Sequence, residues 1–338
     1  MARANLALVA GLPGAHDLDQ CHEAFRGDLL AHCYRMLGSF HDAEDLVQET
    51  MLRAWRAADR YDPQKASLRT WLHSIATNVC LDALKGRPRR PLPSGLGPAG
   101  DDPEVPLVPS PDVPWLQPFP DARLGEPENV SAQRAGLRLG FVAALQLLPA
   151  RQRAALVLRE VLQLPAAEVA DALGTSVASV NSSLQRARAT LRSARLTLEE
   201  LREPSAGADL AVVQRYLAAF EAADVGALTR LLADDVVLEM PPVALWLAGR
   251  SHYHRFIERV FAMRGTGWRL MEVHANGSPA LAAYAPELAS AKLRAHSVQV
   301  FEVAGPYIQR CVTFVDPQLF ALFGLPPTQA RPGDAEAP

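Results

Sequence analysis

The sequence lacks long apolar runs and has few cysteines. A membrane-spanning helix needs roughly 18 consecutive apolar residues. No apolar stretch among the 338 residues approaches that length, so no such helix is predicted. A brief apolar run near the N-terminus is too short to favour a signal peptide. Cys21, Cys33, Cys80 and Cys311 show no C-x-x-C spacing, which predicts neither a zinc site nor a disulfide framework. We expect buried, inert thiols in a reducing cytoplasm.

Proline is concentrated in one segment. Eleven of the 27 prolines lie in residues 91–130, together with seven acidic residues and one base, Arg123. Such a density excludes regular helices and central strands, so the segment is predicted to be a partly extended tether. Within it, "VPWLQPFPD" is unusually apolar, and either a local turn or docking on a neighbouring surface accounts for it.

The segment before this linker, residues 15–90, is helical by pattern. In "HDAEDLVQETMLRAW", Val47, Met51 and Trp55 recur at helical spacing and predict one apolar face. Acidic residues lie on the opposite side, and the segment ends in the basic run "KGRPRR".

Residues 131–202 are also helical, with ten arginines, no lysine and five acidic residues, although the whole chain has a net charge of -3. In "LPAAEVADALGTSVASVNSSLQRARATL", Ala170, Gly174 and Val180 have the spacing of a helix-turn-helix. Ser176 is expected to cap a second helix that begins at Val177, with Val177 among its inward-facing residues. The second helix carries positive charge along one side, which favours DNA binding over the alternative of a solvated helical hairpin. Its arginines are Arg186, Arg188, Arg192 and Arg195.

The last segment, residues 208–325, changes character. Helical stretches lead to "DDVVLEM" and then to alternating runs such as "HSVQVFEVA". Helices followed by a meander of strands predict an α+β domain with a curved antiparallel sheet.

Two of these patterns resemble a known family. Residues 41–90 resemble region 2 of bacterial sigma factors of the extracytoplasmic-function group, and "LQLLPARQRAALVLREVLQLPAAEVADALGTSVASVNSSLQRARATL" is similar to their region 4. The resemblance implies a protein that recruits core RNA polymerase to promoters, with no enzymatic activity and no cofactor or metal. It implies that the acidic helix of region 2 binds the polymerase. The matching residues are Asp42, Asp45, Leu46, Gln48 and Glu49.

The same resemblance assigns DNA contacts. A loop of region 2 captures an unstacked base of the −10 element, and basic residues beside it contact the backbone. The matching residues are Asp62, Gln64, Lys65, Ser67, Arg69, Asn78, Lys85 and Arg87. Region 4 reads the −35 element through the second helix of its helix-turn-helix. The matching residues are Ser179, Asn181, Ser182, Gln185, Arg186 and Arg188. Many relatives carry basic residues where Asn181 and Ser183 stand, so weaker phosphate attraction is expected here.

The C-terminal third resembles the SnoaL-like branch of NTF2-like domains, which form cones around a pocket. The pocket candidates are Glu239, Trp246, His252, His254 and His274, beside Tyr253 and His296, and no spacing among them indicates a reaction. In sigma factors with such a fused domain, the domain and a linker motif, here Trp115, Leu116 and Pro118, regulate the sigma regions in cis. The apolar tail, with Phe314, Leu319, Phe320 and Phe323, is expected to join the linker in clamping this domain onto region 2.

Three interpretations remain open at this point. The first is a cytoplasmic sigma factor whose C-terminal domain is a non-catalytic regulator. The second is a sigma factor fused to a working enzyme or to a small-molecule sensor. The third, a helix-turn-helix regulator that never contacts polymerase, leaves the acidic helix unexplained.

Overall fold

The computed structural model describes residues 15–125, 136–193, 207–287 and 292–331, and it divides into two compact units. The helical unit contains the described residues before 91 and those between 123 and 193. The C-terminal unit contains residues 91–122 and the described residues from 207 onward. Within the described ranges, no helix combines the length and apolar character needed to cross a membrane.

The first half of the helical unit is a three-helix arrangement. It consists of α1 (Ala15–Leu37), α2 (Phe40–Arg56) and α3 (Leu68–Ala83). Gly38 has a φ of 70°, which lets the chain reverse between α1 and α2. The Ser39 hydroxyl accepts from the Asp42 backbone N–H at 3.2 Å and caps α2, and Ser67 caps α3 in the same way through the Thr70 N–H at 3.1 Å.

In the second half, the described residues form four α-helices. They are α4 (Leu139–Gln146), α5 (Ala150–Leu156), which continues into a π-helical turn, α6 (Ala166–Ala172) and α7 (Val177–Ser193). The predicted helix-turn-helix is confirmed in α6 and α7. Gly174 turns with a φ of 58°, Ala170 and Val180 are buried where the helices meet, and the Ser176 hydroxyl accepts from the Ser179 N–H.

In the part of the C-terminal unit that the structure describes, four α-helices combine with a seven-stranded sheet. Its helices are α8 (Gly207–Glu221), α9 (Val225–Arg230), α10 (Arg250–Arg264) and α11 (Leu319–Leu322). Its strands are β1 (Leu232–Glu239), β2 (Trp246–Ala248), β3 (Arg269–Ala275), β4 (Ser278–Pro286), β5 (Lys292–Ala304), β6 (Tyr307–Phe314) and β7 (Thr328–Ala330). The predicted fold class, helical regions followed by an α+β domain, is confirmed.

The sheet has the order β2-β1-β6-β5-β4-β3, and β7 pairs with β5. Neighbouring strands are antiparallel except β1 and β6, which are parallel. The expectation of an antiparallel meander is therefore wrong for β1, since the first strand lies beside the last long one. Such pairing is non-local, and local alternation carries no signal for it.

The C-terminal tail folds back onto its own unit. Leu319 and Phe320 are buried, and the Phe320 ring lies 4.9 Å from the Tyr284 ring, centroid to centroid. The Tyr284 hydroxyl donates to the Pro326 carbonyl at 2.9 Å. Part of the tail's apolar surface is therefore buried within the C-terminal unit.

Residues 91–122 run along the C-terminal unit and contain only short 3₁₀ turns, as the proline density predicts. They form isolated bridges to the sheet at Gly100 with Leu247 and at Pro120 with Ala275. The expectation of a tether is wrong for this part of the linker, because several of its backbone groups hydrogen-bond to the domain. We call residues 91–122 the strap.

Candidate functional site

One stripe of α2 faces solvent. Asp45 and Gln48 are exposed, and Leu52 and Trp55 follow at helical spacing with exposed fractions of 40% and 57%. Leu46, beside them, is half-buried. The stripe combines polar groups with an exposed aromatic ring, a composition that is enriched at protein interfaces.

The two other acidic residues of the predicted polymerase-binding set are in ion pairs. Asp42 accepts from Arg87 at 3.1 Å and from Arg90 at 2.8 Å, and Glu49 accepts from Arg53 at 2.7 Å. These pairs are partly exposed, and surface ion pairs contribute little to stability, so a charged partner could exchange with them at small cost.

Trp55 was expected on the apolar face of α2, and this expectation is wrong. The buried arc of the helix is made of other residues: Phe40, Ala43, Val47, Thr50 and Ala54. Small side chains on this arc suit close packing against α1 and α3. The spacing of large apolar residues alone therefore predicts the wrong buried face for α2. It also gives no indication that Leu52 is part of the exposed stripe.

The predicted −10 loop is a coherent exposed surface. The Asp62 carboxylate accepts from the Gln64 backbone N–H at 3.0 Å, and Lys65 Nζ lies 3.5 Å from the same carboxylate. Ser67 ends the loop as the cap of α3. Gln64, Lys65 and Ser67 are exposed, so the structure brings these four residues together.

The predicted backbone contacts near this loop are held by acidic residues. Arg69 donates to Asp28 at 3.0 Å, Lys85 donates to Asp82 at 2.8 Å, and Arg87 donates to Asp42. The Lys85 ammonium lowers the pKa of Asp82. DNA phosphates would have to replace these carboxylates before the cations could contact the backbone.

The α3 surface predicted to read DNA contacts α6. Asn78 Nδ2 lies 3.2 Å from the Ala172 carbonyl and 2.9 Å from the Ser74 carbonyl, and it donates to both. The Thr70 hydroxyl donates to Glu168 at 3.2 Å. The side-chain amide of Asn78 is therefore already hydrogen-bonded to the helix-turn-helix in this arrangement.

Two buried arginines join the same halves of the helical unit. Arg153 in α5 donates to the Met36 carbonyl at the end of α1, to Gln146 Oε1 at 2.8 Å and to the Leu148 carbonyl at 3.1 Å. Arg35 in α1 donates to the Gly136 carbonyl at 3.2 Å. Burial lowers the pKa of each guanidinium to about 10, so both stay charged at neutral pH.

The predicted −35 surface lies along α7. All six of its residues are exposed: Ser179, Asn181, Ser182, Gln185, Arg186 and Arg188. Arg188 pairs with Glu160, and Arg192 is also exposed, whereas Arg195 lies outside the described residues. The helix thus presents small polar groups near its start and arginines farther along, the order needed for base edges and phosphates.

Val177 was expected to point inward and is instead 42% exposed, so that expectation is wrong. Val180, Leu184, Ala187 and Leu191 are buried as predicted. The first residue of α7 lies before the point at which the helix contacts its neighbours, so helical spacing alone extends the buried face one turn too far.

The C-terminal domain has an apolar interior between its helices and its sheet. Tyr216, Tyr253 and Phe301 are almost fully buried there, and the two tyrosine hydroxyls lie 2.9 Å apart. Burial raises the pKa of both tyrosines well above the usual value and lowers that of His296 to about 4. These groups are consequently uncharged at neutral pH.

The histidine candidates do not converge on one cavity. His252 Nδ1 donates to the Ala248 carbonyl at 2.7 Å, and His254 Nδ1 lies 2.8 Å from the Thr229 hydroxyl. His274 is exposed on β3. Across the described ranges, no cluster of three or more His, Cys, Asp or Glu side chains could hold a metal ion.

The remaining pocket candidates contact the strap. Glu239 is fully buried, accepts from Arg310 at 2.7 Å and accepts from the Ser94 backbone N–H at 2.9 Å. Trp246 Nε1 donates to the Gly97 carbonyl at 2.9 Å. A carboxylate held by an arginine and an amide is poorly placed to act as a general base.

The linker motif is part of the strap. Trp115 is half-buried and its Nε1 donates to the Ser110 carbonyl at 3.0 Å. Leu116 is 1% exposed, and Pro118 is buried. The sequence left two explanations for the apolar stretch "VPWLQPFPD", a local turn or docking on a neighbouring surface. The burial of Leu116 and Pro118 agrees with docking.

Comparison with known proteins identifies the class. Family models match three segments, as Sigma-70 region 2 at residues 21–90, Sigma-70 region 4 at residues 138–191 and a SnoaL-like domain at residues 213–310. The chain is 47% identical over 314 residues to the ECF RNA polymerase sigma factor SigG of Mycobacterium tuberculosis, covering 90% of this chain and 82% of that protein. The chain therefore belongs to the ECF sigma factors, RNA polymerase sigma factors of the extracytoplasmic-function group.

A second relative also has a solved structure. SigJ of Mycobacterium tuberculosis is 31% identical over 252 residues, covering 72% of this chain and 73% of SigJ. The crystal structure of a SigJ from that organism superposes with a TM-score of 0.63 at 24% identity, covering 91% of this chain and 99% of that one. This likeness supports the overall fold. The predicted family, with its sigma regions and fused SnoaL-like domain, is confirmed.

Proposed function

We propose that this chain binds core RNA polymerase through the exposed stripe of α2 and directs it to promoters through the 62–67 loop and α7. Asp45 and Gln48 supply charge and hydrogen bonds that steer and orient the partner, and the apolar end of the stripe supplies buried area. The arginines of α7 supply phosphate affinity, and its polar residues face the base edges. The observation that carries the proposal is the exposure of all three surfaces in one sigma-factor chain. The protein acts in the cytoplasm, where transcription takes place.

The arrangement of the helical unit corresponds to a resting form. Asn78 is bound to α6, and Arg35 and Arg153 join the two halves. The −10 and −35 elements are about 25 base pairs apart by position, which is about 85 Å along the duplex. Two regions in direct contact cannot occupy both elements, so promoter binding requires them to separate.

The C-terminal domain acts as a non-catalytic regulator of that separation. Glu239 and Trp246 are engaged with the strap and His252 with the backbone, and aliphatic and aromatic side chains pack in the domain's interior. The alternative, a working enzyme or a small-molecule sensor in this domain, is not favoured. Deletion of residues 208–338 should change the transcription rate strongly, and an unchanged rate would contradict the regulatory role.

Equilibrium binding of the full chain to purified core polymerase tests the first part of the proposal. Gln48→Ala should weaken binding, whereas Gln64→Ala in the −10 loop should leave core binding unchanged and reduce promoter opening. Gln185→Ala in α7 should likewise spare core binding and reduce promoter affinity. Failure of the full chain and of the chain lacking residues 208–338 to bind core polymerase would overturn the proposal.

A further inference from the structure

Two cysteines from different helices meet in the core of the helical unit. Cys33 lies in α1 and Cys80 in α3, and both are 0% exposed. The two thiols share a hydrogen bond. The spacing of the cysteines in the sequence predicts buried thiols, but it gives no indication that two of them are in contact.

Neighbouring contacts hold α1 and α3 in this register. His32 Nε2 lies 2.9 Å from the Thr77 hydroxyl, and the His32 and His73 rings are 5.3 Å apart, centroid to centroid. Cys33 directly follows His32, and Cys80 lies about one helical turn after Thr77. A fixed pair of helices therefore brings the thiols together, so the contact does not depend on the conformation of a loop.

A buried cation lies beside the thiol pair. Arg153 in α5 is 3% exposed, and its positive charge acts on the Cys80 thiol. Its two terminal nitrogens donate to oxygen atoms, but within the described ranges its Nε–H has no acceptor. A buried donor without a partner costs free energy. An anion on Cys80, either a thiolate or the oxygen of an oxidised sulfur, is the kind of group that this charge and this donor favour.

Burial keeps the pair reduced and unreactive in most molecules. It raises the pKa of Cys80 well above its usual value, because a thiolate is poorly solvated in the core, whereas the Arg153 charge acts in the opposite direction. The thiolate is the form that reacts with oxidants. Reaction therefore requires a local opening that admits water and a small oxidant, and the neighbouring cation then favours the thiolate at Cys80.

We propose that Cys33 and Cys80 form a redox site that a small hydroperoxide oxidises to a reversible disulfide between α1 and α3. The second thiol distinguishes this site from a single buried cysteine, because a sulfenic acid beside a thiol condenses to a disulfide. Disulfides in cytosolic proteins are usually transient and serve catalysis or redox sensing.

The oxidation consumes one hydroperoxide. Cys80 gives up its proton and attacks a peroxide oxygen, an S–O bond forms as the O–O bond breaks, and the leaving oxygen takes up that proton. The leaving group is an alcohol, or water when the oxidant is hydrogen peroxide. The Cys33 sulfur then attacks the Cys80 sulfur, the S–S bond forms, and hydroxide leaves with the Cys33 proton as water. Two molecules of a small thiol reverse the reaction and leave as their own disulfide.

Peptide mapping of the unmodified full chain tests the pairing. After native treatment with hydrogen peroxide and blocking of the remaining thiols, mass spectrometry should find a Cys33–Cys80 bridge and a reduced Cys311. Cys311 is the control, because it is equally buried and its thiol contacts the Thr313 and Tyr253 hydroxyls. The same chain oxidised in urea should give mixed pairings that include Cys311. The same mixture from native and unfolded chains, or a native chain without the Cys33–Cys80 bridge, would overturn the proposal.

A pair of variants tests which sulfur attacks first. In Cys33→Ala, the reaction should stop at the sulfenic acid of Cys80, which a dione reagent labels. In Cys80→Ala, labelling of Cys33 should be lost, because the Arg153 charge acts on Cys80. Circular dichroism checks that both variants fold, and the peptide map of the unmodified chain decides the pairing even if one variant does not. Equal labelling of Cys33 and Cys80 would contradict the assigned order.

The bridge should also stabilise the protein. It closes a loop that contains α2 and so restricts the unfolded chain, and the melting temperature of the oxidised chain should exceed that of the reduced chain by several degrees. Dithiothreitol should reverse the shift, and Cys33→Ala treated with peroxide should show no rise. An unmodified chain whose melting temperature does not rise would show that α1 and α3 are not placed for the bond, which would overturn the proposal. These measurements need neither polymerase nor promoter DNA, so their outcome is independent of the proposed function.

Discussion

Replacement of Arg153 by methionine should loosen the helical unit. The side chain is 3% exposed and donates to the Met36 carbonyl, the Gln146 side chain and the Leu148 carbonyl. Methionine has a similar length but no donors, so several buried acceptors lose their partner. Each bond from a charged group contributes about 1.5–3 kcal/mol, offset in part by relief of the buried charge, and we expect a net loss of about 3 kcal/mol.

For a unit of this size, a loss of that order lowers the melting temperature by about 6–12 °C. Urea unfolding and local hydrogen exchange of α1 and α5 would measure the change. Arg153→Lys, which keeps the charge but has a different donor geometry, should lie in between. Arg192→Met, at an exposed position of α7, is the control and should change stability by less than about 0.5 kcal/mol. An Arg153→Met variant as stable as the control would show that Arg153 does not hold the two halves of the helical unit together.

Three further predictions concern separate parts of the helical unit. Burial lowers the pKa of His73 to about 4, so the folded state favours the neutral imidazole. The free energy of unfolding should be intact above the unfolded pKa of about 6.5 and should fall by up to about 3 kcal/mol as the pH drops toward 4. The fall should be shallower in His73→Phe. Trp55→Ala should weaken core polymerase binding by about tenfold or more and leave thermal stability unchanged, because the ring is 57% exposed. Unchanged affinity in a binding titration would show that Trp55 lies outside the interface. Arg186→Ala should reduce the salt dependence of promoter binding by about one unit of log–log slope, and an unchanged slope would show that Arg186 makes no phosphate contact.

The helix-turn-helix could be predicted from the sequence because its determinants are local. Gly174 needs a left-handed turn, Ala170 lets two helices touch, and Val180 fills the space between them. The same local reasoning failed at Val177 and Trp55, where the buried face depends on which neighbouring helix packs closest.

The strap could not be predicted from composition. Proline density correctly excludes regular elements, but it does not reveal where the remaining backbone donors are satisfied. Those partners, Glu239 and Asn276, lie far away in the sequence, and the sequence alone predicts a pocket position for Glu239. Only the tertiary arrangement shows that its carboxylate holds Ser94.

Transcription in vitro tests whether this chain directs polymerase to promoters through two separate elements. Purified core polymerase and the full chain would be given a promoter library with randomised −10 and −35 regions, and the transcripts would be sequenced. We expect templates enriched in two fixed motifs at a constant spacing, with the upstream motif weakened by Gln185→Ala. Transcripts with no enriched motifs, or the same transcripts from core polymerase alone, would contradict it.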